Sequence, residues 1–251
     1  MTKYKDQIEL ALPKHLSADR MIRVAMTMMS KNALLQKCPA NKLFGSIIQS
    51  LQLGLEPDNG LGHSWILPYK NFQASKELGY DVYDPQLIIG YQGMNELAFR
   101  SGMIKSLHGD IVYKQDTFDF AYGSGAFLKH KPTAEDTTLA DWTCVYAYAE
   151  LSNGGTVFIV LKKSDVLAAM ARSMSKGNFG PWKSDFVQMA IKTAYRRLFK
   201  KLPKSPEIAT ALKLNGLAEE SIPQSLDIEQ AQPDGSLPVA EYADAVYEDV
   251  A

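Results

Sequence analysis

The spacing of apolar residues changes period twice along this chain, and that constrains the fold more than any other feature. Residues 16–53 place apolar side chains every three to four positions, the period of a helix with one buried face. In "LSADRMIRVAMTMMSKNALL" the inward residues are read as Ile22, Met26 and Met29, the methionines serving as core filler. In "NKLFGSIIQSLQLGL" they are Leu43, Ile47, Ile48 and Leu51, with Pro39 separating the two helices. Residues 61–163 then run in short β-rich segments, and residues 164–203 return to the helical period. Blocks of helix, strand and helix predict an α+β fold in which helices are segregated from an antiparallel sheet.

Local signals set the boundaries. Ser17 is the expected N-cap of the first helix, with Asp19 in its first turn. Pro57, Asn59-Gly60 and Gly62 end the second helix. "HSWILPYK" and "PQLIIGY" are expected to pair across a loop at 71–84, and "GMNELAFRSGMI" reads as a short helix. Asn153-Gly154-Gly155 lies between two β-rich runs, a strong hairpin signal. Ser164 is the expected cap of "SDVLAAMARSM". "WKSDFVQMAIKTAYRRLFKKL", 182–202, reads as one long basic helix stopped by Pro203 and Pro206. The expected organisation is a core at 1–204, mainly helical over 1–60, strand-rich over 61–163 and helical over 164–203. Region 205–251 follows, with one short helix and then an acidic, flexible, partly disordered tail able to bind a partner.

Charge divides along the same line. From 205 onward ten acidic residues face a single lysine, leaving 26 basic against 18 acidic residues in 1–204. A basic body with an acidic tail suits a binder of nucleic acid, whose phosphates release condensed counterions when cations replace them. The tail would dock a partner or compete for the groove; a merely solvated tail explains it equally well.

Other chemistries lack their residues. "AYGSGAFLKH" does not have the spacing of a phosphate-binding P-loop, so ATP-driven work is not expected. Cys38 and Cys144 are far apart and fit reduced thiols in a cytoplasm; His15, His63, His108 and His130 are scattered. "GHSWI" has Ile66 where a nucleophile elbow needs glycine. The amino-terminal stretch shows no secretory signal, and no apolar run reaches the ~18 residues of a membrane span.

What remains is cations interleaved with aromatic and amide side chains: Trp65, Tyr69, Lys70, Tyr91, Gln92, Asn95, Arg100 and Lys105 in the middle, and Trp182, Lys183, Lys192, Tyr195, Arg196 and Arg197 later. In the last helix Gln188, Lys192, Arg196 and Lys200 recur one turn apart, opposite an apolar face of Val187, Ala190, Ile191, Ala194 and Leu198. No acidic residue follows Asp185 there. A one-sign stripe repels itself, and an anionic ligand accounts for it better than solvent does. Aromatics stack on bases whatever the sequence, although each aromatic taken alone also fits a core position. The strand ends near 69 and 92 are expected to form one phosphate-tracking edge, and the 182–202 helix the opposite wall.

Three ordered blocks, "LGLEPDNGLGHSWILPYK", "LIIGYQGMNELAFRSGMIKSL" and "FGPWKSDFVQMAIKTAYRRLFKKL", resemble the RecT/Redβ family of phage single-strand annealing proteins, closer to the RecT branch, over roughly 40–203. The resemblance implies a non-hydrolytic recombinase that coats single-stranded DNA, assembles into rings or helical filaments and anneals complementary strands without ATP. It also implies a partner 5′→3′ exonuclease and contact with the host single-strand binding protein. Carried over residue by residue, it marks Tyr69, Lys70, Tyr91, Gln92, Arg100, Trp182, Lys183, Lys192 and Arg196, with Arg197 and Lys200 matching less well. Relatives often carry lysine where Gln92 stands. No cofactor is expected, and Mg²⁺ would act through the phosphates. The competing readings are a passive single-strand coating protein, a nuclease, for which 1–204 shows no obvious carboxylate cluster, and a scaffold whose basic helix binds an acidic protein.

Overall fold

A computed structural model describes residues 18–58, 60–134, 137–173, 176–220, 222–232 and 236–240. The expected cap Ser17 and the acidic residues beyond 240 lie outside them. The fold is α+β, with helices at both ends of the described chain and antiparallel strands between, the first two strands each followed by a shorter helix. The described residues fold as two compact units, one of those up to 97 together with those from 205 onward, the other of those within 98–204.

The first unit holds α1 (Ala18–Lys31), α2 (Ala40–Gln52), the strands β1 (Ser64–Lys70) and β2 (Tyr83–Ile89), α3 (Phe72–Leu78), most of α4 (Tyr91–Arg100), and α8 (Pro206–Glu219). β1 and β2 pair antiparallel, as the sequence predicts; the register sets Ser64 opposite Ile89 and Lys70 opposite Tyr83, so β2 starts inside the stretch expected to be loop. The connection is not a plain loop. It contains α3, capped by the Asn71 side chain, which accepts from the Ala74 amide, and ended by Gly79 in the left-handed region. Leu43, Phe44, Ile47 and Ile48 of α2 are buried, and α2 packs on β2. The inward face of α1 is set one residue off the expectation: Met21, Ala25 and Met28 are buried, while Met26 is exposed.

α8 belongs to this unit. It buries Ile208, Ala211, Leu214 and Leu217, and it closes the free edge of β2 together with the amide side chains of Asn215 and Gln224. Asn215 accepts from the Ile89 amide and donates to its carbonyl; Gln224 does the same for Leu87. Each amide takes the place of a missing neighbouring strand, which satisfies an edge that would otherwise invite pairing. Leu226 and Ile228 are buried, and Gly45 of α2 allows that segment in: a Cβ there would lie 2.3 Å from the Leu226 carbonyl oxygen. Residues 205–232, read from sequence as the start of an acidic appendage, are thus built into this unit over their described length.

The second unit centres on a three-stranded antiparallel sheet, β3 (Ile104–Tyr113), β6 (Trp142–Leu151) and β7 (Thr156–Lys162), in the order β3-β6-β7. The β6–β7 turn falls at Asn153-Gly154-Gly155, as predicted, with Gly154 at φ 84°. A separate hairpin, β4 (Thr117–Ala121) with β5 (Phe127–Lys131), stands on a buried polar knot. His130 bridges Asp116 at 3.0 Å and the Tyr146 hydroxyl at 3.2 Å, and Asp116 also accepts from the Tyr113 and Thr133 amides. The strands are followed by α5 (Lys163–Arg172), α6 (Pro181–Ser184) and α7 (Phe186–Lys201). The helical cap of α5 is at Lys162, whose amide donates to Asp165, and not at Ser164. The expected single helix at 182–202 is two, broken at Asp185, where φ −136° and ψ 50° leave the helical region.

Candidate nucleic-acid interface

α7 lies on the three-stranded sheet through Ala190, Ile191, Ala194, Tyr195, Leu198 and Phe199, all buried. Burying each of the larger ones contributes about 1.5–3 kcal/mol. Tyr195, expected among the outward aromatics, sits in this core because Gly109 of β3 leaves room for its ring, 3.0 Å from where a Cβ would be. The helix period then fixes the opposite side. Gln188 and Lys200 are exposed there, with Lys192 and Arg196 half-buried between them.

Lys192 has an unusual environment. Burial, and next the Arg196 charge, hold its ammonium below the usual lysine range. No acidic side chain among the described residues pairs with it. A cation partly withdrawn from water beside another cation raises the energy of the empty protein, and an incoming anion offsets that cost.

The other predicted residues of this unit divide. Lys183 is exposed on α6, without an acidic partner among the described residues, and Arg100 is exposed at the end of α4. Lys105 pairs with Glu150 across β3 and β6 at 2.6 Å, and Arg197 lies 3.9 Å from Asp165, so both have acidic neighbours to exchange for a phosphate. Trp182 is buried, its ring centroid 6.0 Å from that of Phe186, so it packs α6 down and does not present a platform.

In the first unit β1 carries Tyr69, half-buried with its phenol pushed up by burial, and Lys70, bound to Asp81 at 2.6 Å and lying over the Phe72 ring. Tyr91 and Gln92 open α4, where the Gln92 amide donates to the Tyr91 hydroxyl at 2.9 Å. Asn95 follows one turn later, and its Oδ1 is buried without a hydrogen-bond partner. The β2–α4 corner depends on glycines to which the sequence pattern alone assigns no role. A Cβ on Gly90 would meet the Gly62 carbonyl oxygen at 2.3 Å, and one on Gly93 the His63 carbonyl oxygen at 2.2 Å. The "GYQG" spacing is the signal that could have found them: it lets α4 start in direct contact with the chain entering β1.

The described residues contain no group of three or more His, Cys, Asp or Glu placed to hold a metal ion. They contain no helix long and apolar enough to cross a membrane. The profile described as "RecT family" matches residues 19–228. The chain belongs to the RecT family. It is 41% identical to "Protein RecT" of Escherichia coli strain K12 over 242 residues, 95% of this chain and 83% of that one. It is 27% identical to "Uncharacterized protein YqaK" of Bacillus subtilis strain 168 over 183 residues, 70% of this chain and 56% of that one. The RecT-family match extends on both sides of the three sequence blocks, into α1 and through the Leu226–Ile228 segment that docks on α2. Membership makes the chain a recombination and annealing protein of the phage type.

Proposed function

We propose that this RecT-family chain binds single-stranded DNA, assembles on it as a ring or helical filament, and pairs complementary strands without ATP in the bacterial cytoplasm. The observation that carries the reading is Lys192, half-buried beside Arg196 with no acidic partner among the described residues. Such a cation favours a phosphate over water. Gln188, Lys200 and Lys183 extend the contact, and Tyr69, Tyr91, Gln92, Asn95 and Arg100 supply the remaining DNA contacts. Lys70, Lys105 and Arg197 join by exchanging their carboxylate partners for phosphate, and Trp182 acts by holding α6.

The chemistry asked of the protein is neutralisation and alignment. Phosphate neutralisation releases counterions. Holding two strands extended removes much of the entropic cost of their encounter. Base pairing then tests the sequence, so no side chain needs a pKa matched to proton transfer. The partners proposed with it are a 5′→3′ exonuclease, which makes the single strand, and the host single-strand binding protein, with the acidic C-terminal stretch as the docking element. The test is the rate at which two complementary, structure-poor oligonucleotides anneal with the protein present and ATP absent. Acceleration that is lost in Lys192→Ala/Arg196→Ala supports the proposal; unchanged or slowed annealing by the native chain refutes it.

A further inference from the structure

Trp65 is a large aromatic that the core does not absorb. It lies on the face of β1 opposite the buried Ile66, and it is 37% exposed, whereas Trp142 and Trp182 are 4% and 8% exposed. Its position is nevertheless fixed. The rim of its six-membered ring rests on the glycine corner: a Cβ on Gly90 would lie 2.5 Å from Trp65 Cζ3 and 2.9 Å from Cη2, and one on Gly62 would lie 3.6 Å from Cζ2 and Cη2. Gln92 Cγ borders the same corner, 3.8 Å from the Gly62 position. Leu67, two residues along and on the same side of the strand, is also exposed.

An exposed indole costs the unliganded protein apolar surface in water. A ring held this way has little rotamer freedom left to lose on binding, which favours a flat, apolar partner. Two glycines are used to seat it, and both Gly62 at φ 71° and the close backbone approach at Gly90 exclude larger residues. We propose that Trp65 is a base-stacking platform, taking an unpaired nucleobase against the part of the indole that faces solvent. The inference rests on the single-strand binding proposed above. It adds a defined base contact to the phosphate neutralisation proposed for the cations. That contact is sequence-tolerant, because every base has a π-face.

The indole reports on itself. Oligothymidylate added to the full chain is expected to quench part of the tryptophan emission, and the quench is expected to disappear in Trp65→Phe while binding persists by anisotropy. Trp65→Ala is expected to weaken oligothymidylate binding about tenfold with an unchanged salt slope, because stacking releases no counterion. On an abasic oligonucleotide of the same length and charge, Trp65→Ala and the native chain are expected to bind alike. Oligothymidylate bound with emission unchanged, or an equal loss on the abasic strand, overturns the platform and leaves single-strand binding standing. No binding of either strand by the native chain overturns both. Trp65→Phe, which keeps a ring on the glycine seat, guards against a folding defect in the alanine variant.

Discussion

Replacing Lys192 and Arg196 together by alanine tests the placement of the DNA backbone quantitatively. Both side chains lie on one side of α7, one turn apart, and the residues that seal the helix into the core, Ala190, Ile191, Ala194 and Leu198 among them, are untouched by the substitution. For a single strand each neutralised phosphate contributes about 0.7 to the slope of log affinity against log salt, so two contacts contribute about 1.4. Measured from a 1 M reference, that slope corresponds to an affinity loss of about 60-fold at 50 mM salt and about tenfold at 200 mM. The loss should be similar for oligonucleotides of different sequence, since phosphates carry no sequence information. Fluorescence anisotropy with a labelled oligonucleotide across a salt series measures both quantities. A loss that is the same at every salt concentration would refute the assignment of these two residues to phosphates.

Further outcomes follow from the same structure. Because burial and Arg196 lower the Lys192 pKa, its charge costs stability at neutral pH, and stability recovers as pH rises through the lowered folded value toward the ordinary 10.5. Lys192→Met should therefore raise the thermal midpoint at pH 7 while weakening DNA binding, and the gain should shrink on approaching pH 10.5; a lower midpoint at pH 7 contradicts this. Burial alone would raise Asp116, but the Tyr113 and Thr133 amides and His130 outweigh it and hold the carboxyl below its usual range. Its contribution is present above the unfolded carboxyl pKa and is lost as pH falls through the lower folded one. Asp116→Asn should thus cost about 2 kcal/mol near neutral pH and progressively less in acid, by urea titration; an equal cost at all pH values would mean that charge plays no part. Gly45→Ala should destabilise by about 1–3 kcal/mol through its clash with the Leu226 carbonyl, despite alanine's better helix propensity; a stabilised variant would show that 222–232 does not hold this seat on α2.

The parts of the fold legible in the sequence are those with a sustained period or unambiguous turn chemistry. Leu43, Ile47 and Ile48 mark α2, the Asn-Gly-Gly turn marks β6–β7, and the short apolar runs around Ile66 and Leu87 mark the first strand pair. Short or interrupted elements are not legible. The seven residues of α3 have no buried face and owe their helix to Asn71 and Gly79. The break at Asp185 leaves the apolar spacing of its surroundings almost unchanged. On α1 several apolar residues sit next to one another, and Met21 and Met28 are inward rather than Met26 because neighbouring elements cover that side. The candidate interface shows the same divide. The one-sided charge of α7 can be read directly, whereas the pairing of Lys105 with Glu150 depends on strand register, and that of Lys70 with Asp81 on how the chain returns after α3. The burial of Trp182 and Tyr195 depends on tertiary partners that no local pattern announces.

The most direct test of the central claim is sequential addition. The protein is mixed with one labelled strand, the complementary strand follows, and an excess of unlabelled strand is added as a quench before the products are separated by native electrophoresis. The account predicts a protein–duplex complex that forms without ATP, survives the quench and is depleted in Lys192→Ala/Arg196→Ala. Tight single-strand binding with the second strand excluded, and no duplex-containing complex, would contradict it and make the chain a passive coat on DNA.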